Sequence, residues 1–455
     1  MSRRFRDADR GTSYLLPPSL DEWLPEDHLA RFVVEIVDGL DTGELERSYG
    51  GGGSAPYHPK MLLALLFYGY ATGVFSSRKL ERAAHDSVAF RYIAANTYPD
   101  HDTINAFRRR FLPLLSSLFV QILEVAHGME LVKLGRVSLD GTKLKANASR
   151  HSALSWGHAN RLEQQLQREV DELMRLAEEA NVEDIPDGMS LPEELSRRED
   201  RLVAIAKAKA EIEARAAEKY AREQAEFEEK VRLRRERERK TGKKARGREP
   251  KAPESGPKDS DQVNLTDEES RIMPVSGGGF EQAYNAQASV DIDTMLVIGT
   301  HVSQATNDKL EIEPAVEVLQ SLPKGLGQVD TLVADTGYFS EKNVKHCRKK
   351  EVIPLIASKR ESHHPSLLER FMDNRDMPPP DPDDAVACML YDLQGKEGRE
   401  IYAKRKCTVE PVFGIIKNVL GFRQFSMRGL KKVQGEWQLV CMAWNIKRMF
   451  VLKAA

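Results

Sequence analysis

The sequence predicts a mixed α/β protein that begins with an all-helical region and is interrupted by a long, charged helical insertion. Three observations lead to this fold class. Residues 1–130 read as mostly helical, residues 155–250 are dominated by Glu, Lys, Arg, Ala, Gln and Leu, and strand-like alternation appears from Arg136 and returns at 277–304. A chain of 455 residues is too long for one simple core, so we expect two or three structural units.

The composition is that of a soluble globular protein with one unusually charged part, at 41% hydrophobic and 30% charged residues. The net charge of -2 does not by itself indicate a nucleic-acid binder, so the distribution of charge must decide that question. The four cysteines form no CxxC pair, which argues against a zinc ribbon and predicts reduced thiols: Cys347, Cys388, Cys407 and Cys441.

The sequence also predicts a cytoplasmic protein. The first ten residues, "MSRRFRDADR", lack the apolar region of a secretory signal. The longest apolar stretch, Met61–Phe75, is too short to span a bilayer and predicts a buried helix.

Several helices follow one another in residues 1–130. A helix begins after Pro59 and ends near 69–73, and Ser76 or Ser77 can cap the next one. The stretch "VAFRYIAAN" forms a third short helix.

A longer helix then begins with Asp102 as its cap, is kinked by Pro113 and ends at Gly128. It carries the candidate DNA-binding residues Arg108, Arg109 and Arg110. Short helices followed by an Arg-bearing helix fit a helix-turn-helix-like module, and they fit a plain helical bundle with a solvated Arg face equally well.

The insertion predicts a long antiparallel helical pair or coiled coil. Apolar residues recur at helical spacing, with opposite charges along the faces: Leu162, Leu166, Val170, Leu173 and Leu176. The following "TGKKARGREPKAPESGPKDSDQ" lacks an apolar pattern and predicts a flexible linker. A solvated hairpin explains most of these charges, although the basic run 230–251 leaves contact with phosphates open.

The rest of the chain alternates strands and helices. Two strands in 277–304 precede the helix of "TNDKLEIEPAVEVLQSL", and "QVDTLVADTGYFS" predicts a buried strand. The helix "SEKNVKHCRKKE" and the strand "EVIPLIAS" come next. We expect 361–398 to be a loop and a helical tail to begin at about Arg399.

Three carboxylates occur in contexts that suggest a site. Asp140 closes "RVSLD" and Asp335 closes "TLVAD", and a strand that ends in Asp presents its carboxylate at the sheet edge where open α/β folds bind ligands. Asp before a small-residue turn is also a common turn former, which remains an alternative for each. Glu410 lies in the apolar run "KCTVEPVFGIIKN", where a charge is costly unless it is solvated, paired or bound to a metal.

Carboxylates that meet in one place repel each other unless a cation neutralises them. Hard oxygen ligands suit Mg²⁺ or Mn²⁺, and two such ions can activate the attacking oxygen and stabilise the leaving oxygen of a phosphodiester. Basic residues near the acids fit that substrate: Lys143, Lys145, Lys404, Arg405, Lys406, Lys417 and Arg423. On a continuous helix Lys406 and Glu410 share a face, which fits either a surface ion pair or a metal ligand beside a phosphate-binding cation.

These motifs together resemble those of bacterial insertion-sequence transposases of the DDE type. The segment "YHPKMLLALLFYGYATGVFSSRKLERAAHDSVAFRYIAANTYPDHDTINAFRRRF" is similar to their N-terminal domain. "SLDGTKLKANAS", "YNAQASVD", "SQATNDKLEIEP", "VADTGYFSEKN" and the stretch from "TVEPVFGIIKN" to "NIKRM" resemble successive parts of their catalytic core.

The resemblance implies an RNase H-like core, formed by 131–149 and 271–455, with a helical domain at 1–130 and an insertion at 150–270. It assigns Asp140, Asp335 and Glu410 as a metal-binding catalytic triad that uses Mg²⁺, with Mn²⁺ as a substitute and two ions in the site. Many relatives surround the Glu with Y-x2-R-x3-E-x6-K. Here Lys406 takes the Arg position, Lys417 matches the last Lys, and Tyr402 lies one residue too far away.

The implied function is cleavage at element ends followed by strand transfer into target DNA. The implied partners are double-stranded DNA, in the form of terminal inverted repeats and target, and further copies of the chain on that DNA, at the nucleoid and not at a membrane. A DNA-binding protein of transposase origin that no longer cuts, a structural protein organised by the insertion, and a plain RNase H-like nuclease are the alternatives.

Overall fold

The computed structural model describes residues 19–49, 56–149, 152–179, 190–245, 247–275, 278–359 and 378–454, without the side chains of 176–179 and 191. The chain divides into two compact units. The first combines Met1–Lys145 with Tyr284–Ala455, and the second is Ala146–Ala283.

The first unit begins with the predicted helices. They are α1 (Leu20–Trp23), α2 (Leu29–Gly39), α3 (Gly43–Arg47), α4 (Pro59–Ala71), α5 (Ser77–Asp86), α6 (Val88–Ile93), α7 (His101–Phe111) and α8 (Leu115–Gly128). Helix α4 starts at Pro59 as predicted, and eleven of its residues are buried. Ser76 occupies the N-cap position of α5 without a capping side-chain hydrogen bond.

The cap of α7 differs from the prediction. The carboxylate of Asp100 accepts the Thr103 amide at 2.7 Å, whereas Asp102 is exposed in the first turn. Asp100 is the N-cap because its backbone is extended, which is the conformation that an N-cap residue typically adopts. Pro113 lies in a 3₁₀ turn, Leu112–Leu114, that separates α7 from α8.

The combined stretch His101–Gly128 is long and apolar enough to cross a membrane by length and composition alone. Core helices of soluble proteins pass the same test. Here α8 buries its apolar face within the first unit, through residues such as Leu118, Phe119 and Ile122.

Strand β1 (Leu134–Lys145) leads into the second unit, which contains β2 (Ala153–Ser155), α9 (Trp156–Glu179), α10 (Leu191–Thr241), β3 (Gln262–Asn264) and β4 (Arg271–Pro274). Ion pairs join Lys209 to Glu163 at 2.7 Å and Arg198 to Glu169 at 2.9 Å, so α9 and α10 run antiparallel as predicted. The core of this unit is a cluster of buried apolar residues: Leu154, Ala159, Leu166, Ile205, Ala208, Ile212 and Val263.

Apart from its end residues, Thr241 in α10 and Gln262 in β3, the predicted flexible linker has neither helix nor strand among its described residues, yet it is not detached from the hairpin. The Trp156 amide donates to the carbonyl of Asp261 at 2.8 Å, and the Ala245 amide donates to Glu238 at 2.9 Å. Arg234 also donates to the Ala245 carbonyl at 3.0 Å. Hydrogen bonds that composition does not reveal therefore hold one end of this segment to α10 and the other end to the start of α9.

The chain returns to the first unit in β5 (Phe280–Asp291), β6 (Val297–Ser303), β7 (Gly327–Ala334) and β8 (Ile353–Ile356). The strand order within this unit is β6-β5-β1-β7-β8. Strands β1, β7 and β8 are parallel, and β5 pairs antiparallel with β6. The sheet is therefore mixed, as predicted.

The remaining helices are α11 (Ile312–Gln320), α12 (Glu341–Lys349), α13 (Ala385–Gln394), α14 (Lys396–Lys404), α15 (Val409–Gly414) and α16 (Leu430–Lys453). Helix α13 corrects the prediction of a loop over 361–398, whose part 361–377 lies outside the described residues. Asp384 caps this helix by accepting the amides of Val386 and Ala387, a signal hidden by the prolines just before it.

Helix α16 joins the sheet to the N-terminal helices. The Trp437 indole donates to the Gln287 carbonyl on β5 at 2.9 Å, and the Asn445 side chain bonds both backbone groups of Val297 on β6 at 2.8 Å. Lys447 donates to the Ala71 carbonyl on α4 at 2.9 Å. All four cysteines are free thiols.

A buried carboxylate anchors α16 and provides a stability test. Glu436 is fully buried and accepts the amides of Ser426 at 2.9 Å and Met427 at 3.0 Å. Glu436→Ala leaves both amides without an acceptor, so we expect it to lower the free energy of unfolding by about 3 kcal/mol. Urea unfolding followed by tryptophan fluorescence measures this. Lys431→Ala, at an exposed position of the same helix, should change little, and equal effects of the two changes would contradict the anchoring role.

Candidate active site

Asp140 lies inside a strand and not at its end, contrary to the prediction. Strand β1 continues through Asp140 and Gly141 to Lys145. The strand does not break because Gly141 keeps an extended conformation next to β5 instead of turning. The Asp140 carboxylate accepts the amide of Gly141 at 2.8 Å.

Asp335 follows directly after β7, as predicted. Its carboxylate accepts the Gly337 amide at 2.8 Å and so caps the 3₁₀ turn Thr336–Tyr338. Strands β1 and β7 are parallel neighbours, and their register pairs Ser138 with Val333. Each of these residues lies two positions before an acid, so the register brings Asp140 and Asp335 side by side.

The electrostatics of Asp140 agree with this arrangement. Burial raises its pKa to about 7, and the negative charges of Asp335 and Asp308 add to the rise. The hydrogen bond from Gly141 and the cation of Arg405 oppose it. The charged form of Asp140 is therefore costly without a cation nearby.

Glu410 is on α15, a helix that contacts β1. Its side chain is 49% exposed and pairs with the Arg405 guanidinium at 3.3 Å. The predicted shared face with Lys406 is wrong, because a 3₁₀ turn at Arg405–Cys407 breaks the helix before Val409. Lys406 is exposed instead and lines a surface cleft with Tyr402 and Arg399.

Arg405, which the sequence identifies only as one of the basic residues before Glu410, takes the place in the site that was predicted for Lys406. Its side chain is only 11% exposed, lies 6.0 Å from the centroid of the Tyr402 ring and acts on both Glu410 and Asp140. The signal was present, since Tyr402 and Arg405 keep the Y-x2-R spacing and one extra residue separates Arg405 from Glu410. The 3₁₀ turn accommodates that residue.

A polar network supports Asp140 from the neighbouring strand β5. Asp308 Oδ1 accepts from Asn285 at 2.7 Å, from Gln287 at 2.9 Å and from Lys143 at 3.1 Å. The Tyr338 hydroxyl donates to Gln287 at 2.5 Å. The side chains of Asn285 and Gln287 are fully buried, so water does not compete for their hydrogen bonds. The network is therefore well ordered.

The basic residues predicted to lie near the acids differ in their exposure and in their hydrogen-bond partners. Lys417 Nζ bonds Thr142 Oγ1 at 3.0 Å, which places its ammonium beside β1 two residues from Asp140. Arg423 is exposed and bonds the Lys417 carbonyl at 3.0 Å. Lys145 is exposed at the end of β1, where it pairs with the segment at Gln424.

The three arginines of α7 do not all face solvent, because one is buried and two are exposed. Arg108 is buried and bonds the Tyr70 hydroxyl at 3.1 Å and Asn105 at 3.2 Å, so it joins helices and does not face solvent. Arg109 and Arg110 are exposed, and the Arg110 guanidinium stacks 4.4 Å from the Tyr49 ring centroid.

A separate cavity of about 640 Å³ lies at the β8 edge of the sheet. Asp392, Glu397 and Glu400 line it, and none of the three candidate acids does. Its acidic wall is unsuited to a phosphate backbone, so the acids on β1, β7 and α15 remain the candidate active site.

Among the described residues, no group of three or more His, Cys, Asp or Glu side chains is placed to hold a metal ion. The chemistry of the donors nevertheless fits a divalent cation. Asp140 on β1 and Asp335 directly after β7 offer hard oxygen ligands, and a bound cation would offset the burial and the neighbouring negative charges that raise the pKa of Asp140.

Two family models match the chain. One is described as a transposase domain (DUF772) and matches residues 18–110, and the other is described as a transposase DDE domain and matches residues 251–446. Asp335 and Glu410 lie within the second match, whereas Asp140 precedes it. Neither the curated proteins nor the solved structures contain a match to the chain.

Gly141 provides a test of the network behind Asp140. A Cβ at Gly141 would lie 2.1 Å from Gln287 Nε2 and 2.9 Å from Asp308 Oδ1, so Gly141→Ala must displace the network. We expect a loss of about 1–3 kcal/mol in the free energy of unfolding, measured by urea denaturation.

Gly135→Ala is the matched control on the same strand, because its Cβ would meet nothing closer than Asp330 at 3.8 Å. Equal stability losses for the two variants would show that the strand, and not the network, is the sensitive element.

Proposed function

We propose that Asp140, Asp335 and Glu410 are the catalytic carboxylates of this chain, which belongs to the DDE transposases. The protein is a DNA transposase, an enzyme that cleaves DNA and transfers strands. The observation that carries the assignment is the β1–β7 register, which supports Asp140 as the partner of Asp335 although Asp140 lies outside the DDE-domain match.

The RNase H-like character of the core is part of this proposal. A mixed five-strand order, β6-β5-β1-β7-β8, with the first acid on the central strand and the second after its parallel neighbour, supports it. The segment 146–283 then stands between the first two strands of the core, and the helices of 1–130, which belong to the same compact unit as the core, form a DNA-binding module.

DDE transposases normally use divalent metal ions. We assign Mg²⁺, replaceable by Mn²⁺, to two positions held by Asp140, Asp335 and Glu410. Such ions supply activation of the attacking oxygen and stabilisation of the leaving oxygen of the phosphodiester.

The chain's own residues prepare the site for that chemistry. Arg405 pairs with Glu410, and its positive charge lowers the pKa of Asp140. Asp308 forms an ion pair with Lys143, which lies on β1 three residues after Asp140. Lys417 is held by Thr142 in the same way. These ordered cations are suited to orient the phosphate of the cleaved strand, with Lys145 and Arg423 further along the DNA path.

Other contacts with DNA follow from exposure. Arg109 and Arg110 are available to a phosphate backbone, whereas Arg108 is committed to Tyr70. The DNA partners are the terminal inverted repeats and the target duplex, bound by more than one copy of the chain at the nucleoid in the cytoplasm. No observation favours a silent DNA-binding protein, since all three acids are present.

The proposal predicts metal-dependent nicking. Purified protein should cut duplex DNA that carries the inverted repeats bracketing its gene when Mg²⁺ or Mn²⁺ is present, and not in EDTA. Asp140→Asn, Asp335→Asn and Glu410→Gln each remove a charge with little change in shape, and we expect each to lower the nicking rate by about 10²–10³ or more. The rate is measured on a denaturing gel with end-labelled DNA.

Asp330→Asn is the matched control, since Asp330 is an exposed acid on β7 outside the site. It should cut at the wild-type rate. Undiminished nicking by Asp335→Asn would overturn the assigned mechanism.

A further inference from the structure

The final part of α10 has no core of its own. Helix α10 has 51 residues and α9 has 24, which correspond to lengths of about 77 Å and 36 Å. Ile205, Ala208 and Ile212 pack in the core of the hairpin, but no residue of the helix between 217 and 241 is buried. The second unit therefore carries a helical arm that its own packing does not require.

Charge is segregated along this helix. The segment 191–219 has seven basic and seven acidic residues, so its charges balance. The segment 230–251, which we call the arm tip, has twelve basic and three acidic residues in a chain whose total charge is -2. A helix that needed charge only for solubility would not collect one sign at one end.

The exposed cations of the tip lie outside the part of the helix that the returning segment covers. Arg234 and Glu238 are four residues apart and both bond the returning segment at Ala245, so they mark the covered face of the helix. Arg235, Arg237, Arg239 and Lys240 lie away from that face and are exposed, and they form no ion pair with the described carboxylates. The acids of the last turns are already engaged, since Glu236 lies 3.7 Å from Arg232 and Glu238 lies 3.5 Å from Arg234.

The helix dipole explains only part of this pattern. It favours cations in the last turn, at Arg239 and Lys240, before Gly242 ends the helix in a left-handed conformation. It does not account for Arg235 and Arg237, or for the exposed Lys243 and Arg248 beyond the helix.

We propose that the arm tip is a second DNA-binding site, which holds the phosphate backbone of duplex DNA without reading its sequence. The proposal rests on the transposase function, which supplies duplex DNA as the polyanion. The tip contains no Asn, Gln or aromatic residue, the side chains that read adenine or stack on bases. It also lacks the apolar face of a membrane-surface helix, because Val231 and Leu233 are its only large apolar residues.

The salt dependence of DNA binding tests this site. Each phosphate contact that releases a counterion contributes about -0.9 to the slope of log K against log salt. The tip variant combines Arg235→Gln, Arg237→Gln, Arg239→Gln and Lys240→Gln in the full chain. We expect its slope to be shallower than that of the wild type by about 2–4, equally on a duplex with the inverted repeats and on an unrelated duplex. Fluorescence anisotropy in EDTA measures this without cleavage.

The base variant is the control, with the same loss of charge on the same helix: Arg197→Gln, Arg201→Gln, Lys207→Gln and Lys219→Gln, all at exposed positions. Its slope should match that of the wild type. A conservative variant, Arg235→Lys with Arg237→Lys and Arg239→Lys, should keep the wild-type slope, and circular dichroism confirms that all variants keep their helices.

A tip variant whose slope differs from that of the base variant by less than about one overturns the proposal. Tip-dependent binding that is tighter to an RNA duplex of the same length would overturn the assignment to DNA. Because binding is measured without cleavage, failure of the nicking test and failure of the slope test are separate results.

Discussion

The parallel pairing of β1 with β7 is the constraint on which the proposed active site depends. Asp140 and Asp335 are almost 200 residues apart, and nothing local in the chain brings them together. The register that pairs Ser138 with Val333 does so, because parallel strands advance in step and each acid comes two residues later. A slip of one residue in this register would turn one of the two carboxylates to the opposite face of the sheet.

Holding two carboxylates together in a partly buried place creates an electrostatic cost, and the surrounding residues limit it. Arg405 pairs with Glu410 and opposes the rise in the pKa of Asp140. On the other side, three donors converge on one oxygen of Asp308, so that this acid is itself neutralised by Lys143 and ordered by Asn285 and Gln287. The site is therefore arranged with cations on each side of the acids, which suits a substrate that is an anion and a cofactor that is a cation.

The rest of the first unit keeps these strands in place. Helix α16 is hydrogen-bonded to β5 through Trp437 and to β6 through Asn445, and Lys447 connects it to α4. The second unit has its own apolar core and a different charge distribution. Its base is balanced in charge and its tip is strongly basic, so packing and charge are separated along a single helix.

The sequence by itself determined most of the elements. Periodicity predicted α4, the α9–α10 pair and the strands of the sheet, since each signal depends on residues that are close in the chain. Motifs around Asp335 and Glu410 pointed to a transposase. The cap of α7 and helix α13 were misjudged although their hydrogen bonds are local, whereas the misjudged features of the site depend on how the chain folds around them. Asp140 lies inside a strand because Gly141 packs against Gln287 and Asp308. Arg108 is buried because it donates a hydrogen bond to the Tyr70 hydroxyl. Arg405 contacts Glu410 because a 3₁₀ turn accommodates one extra residue between them. Only the folded chain decides which charges meet, because that depends on register and on helix breaks that no local pattern encodes.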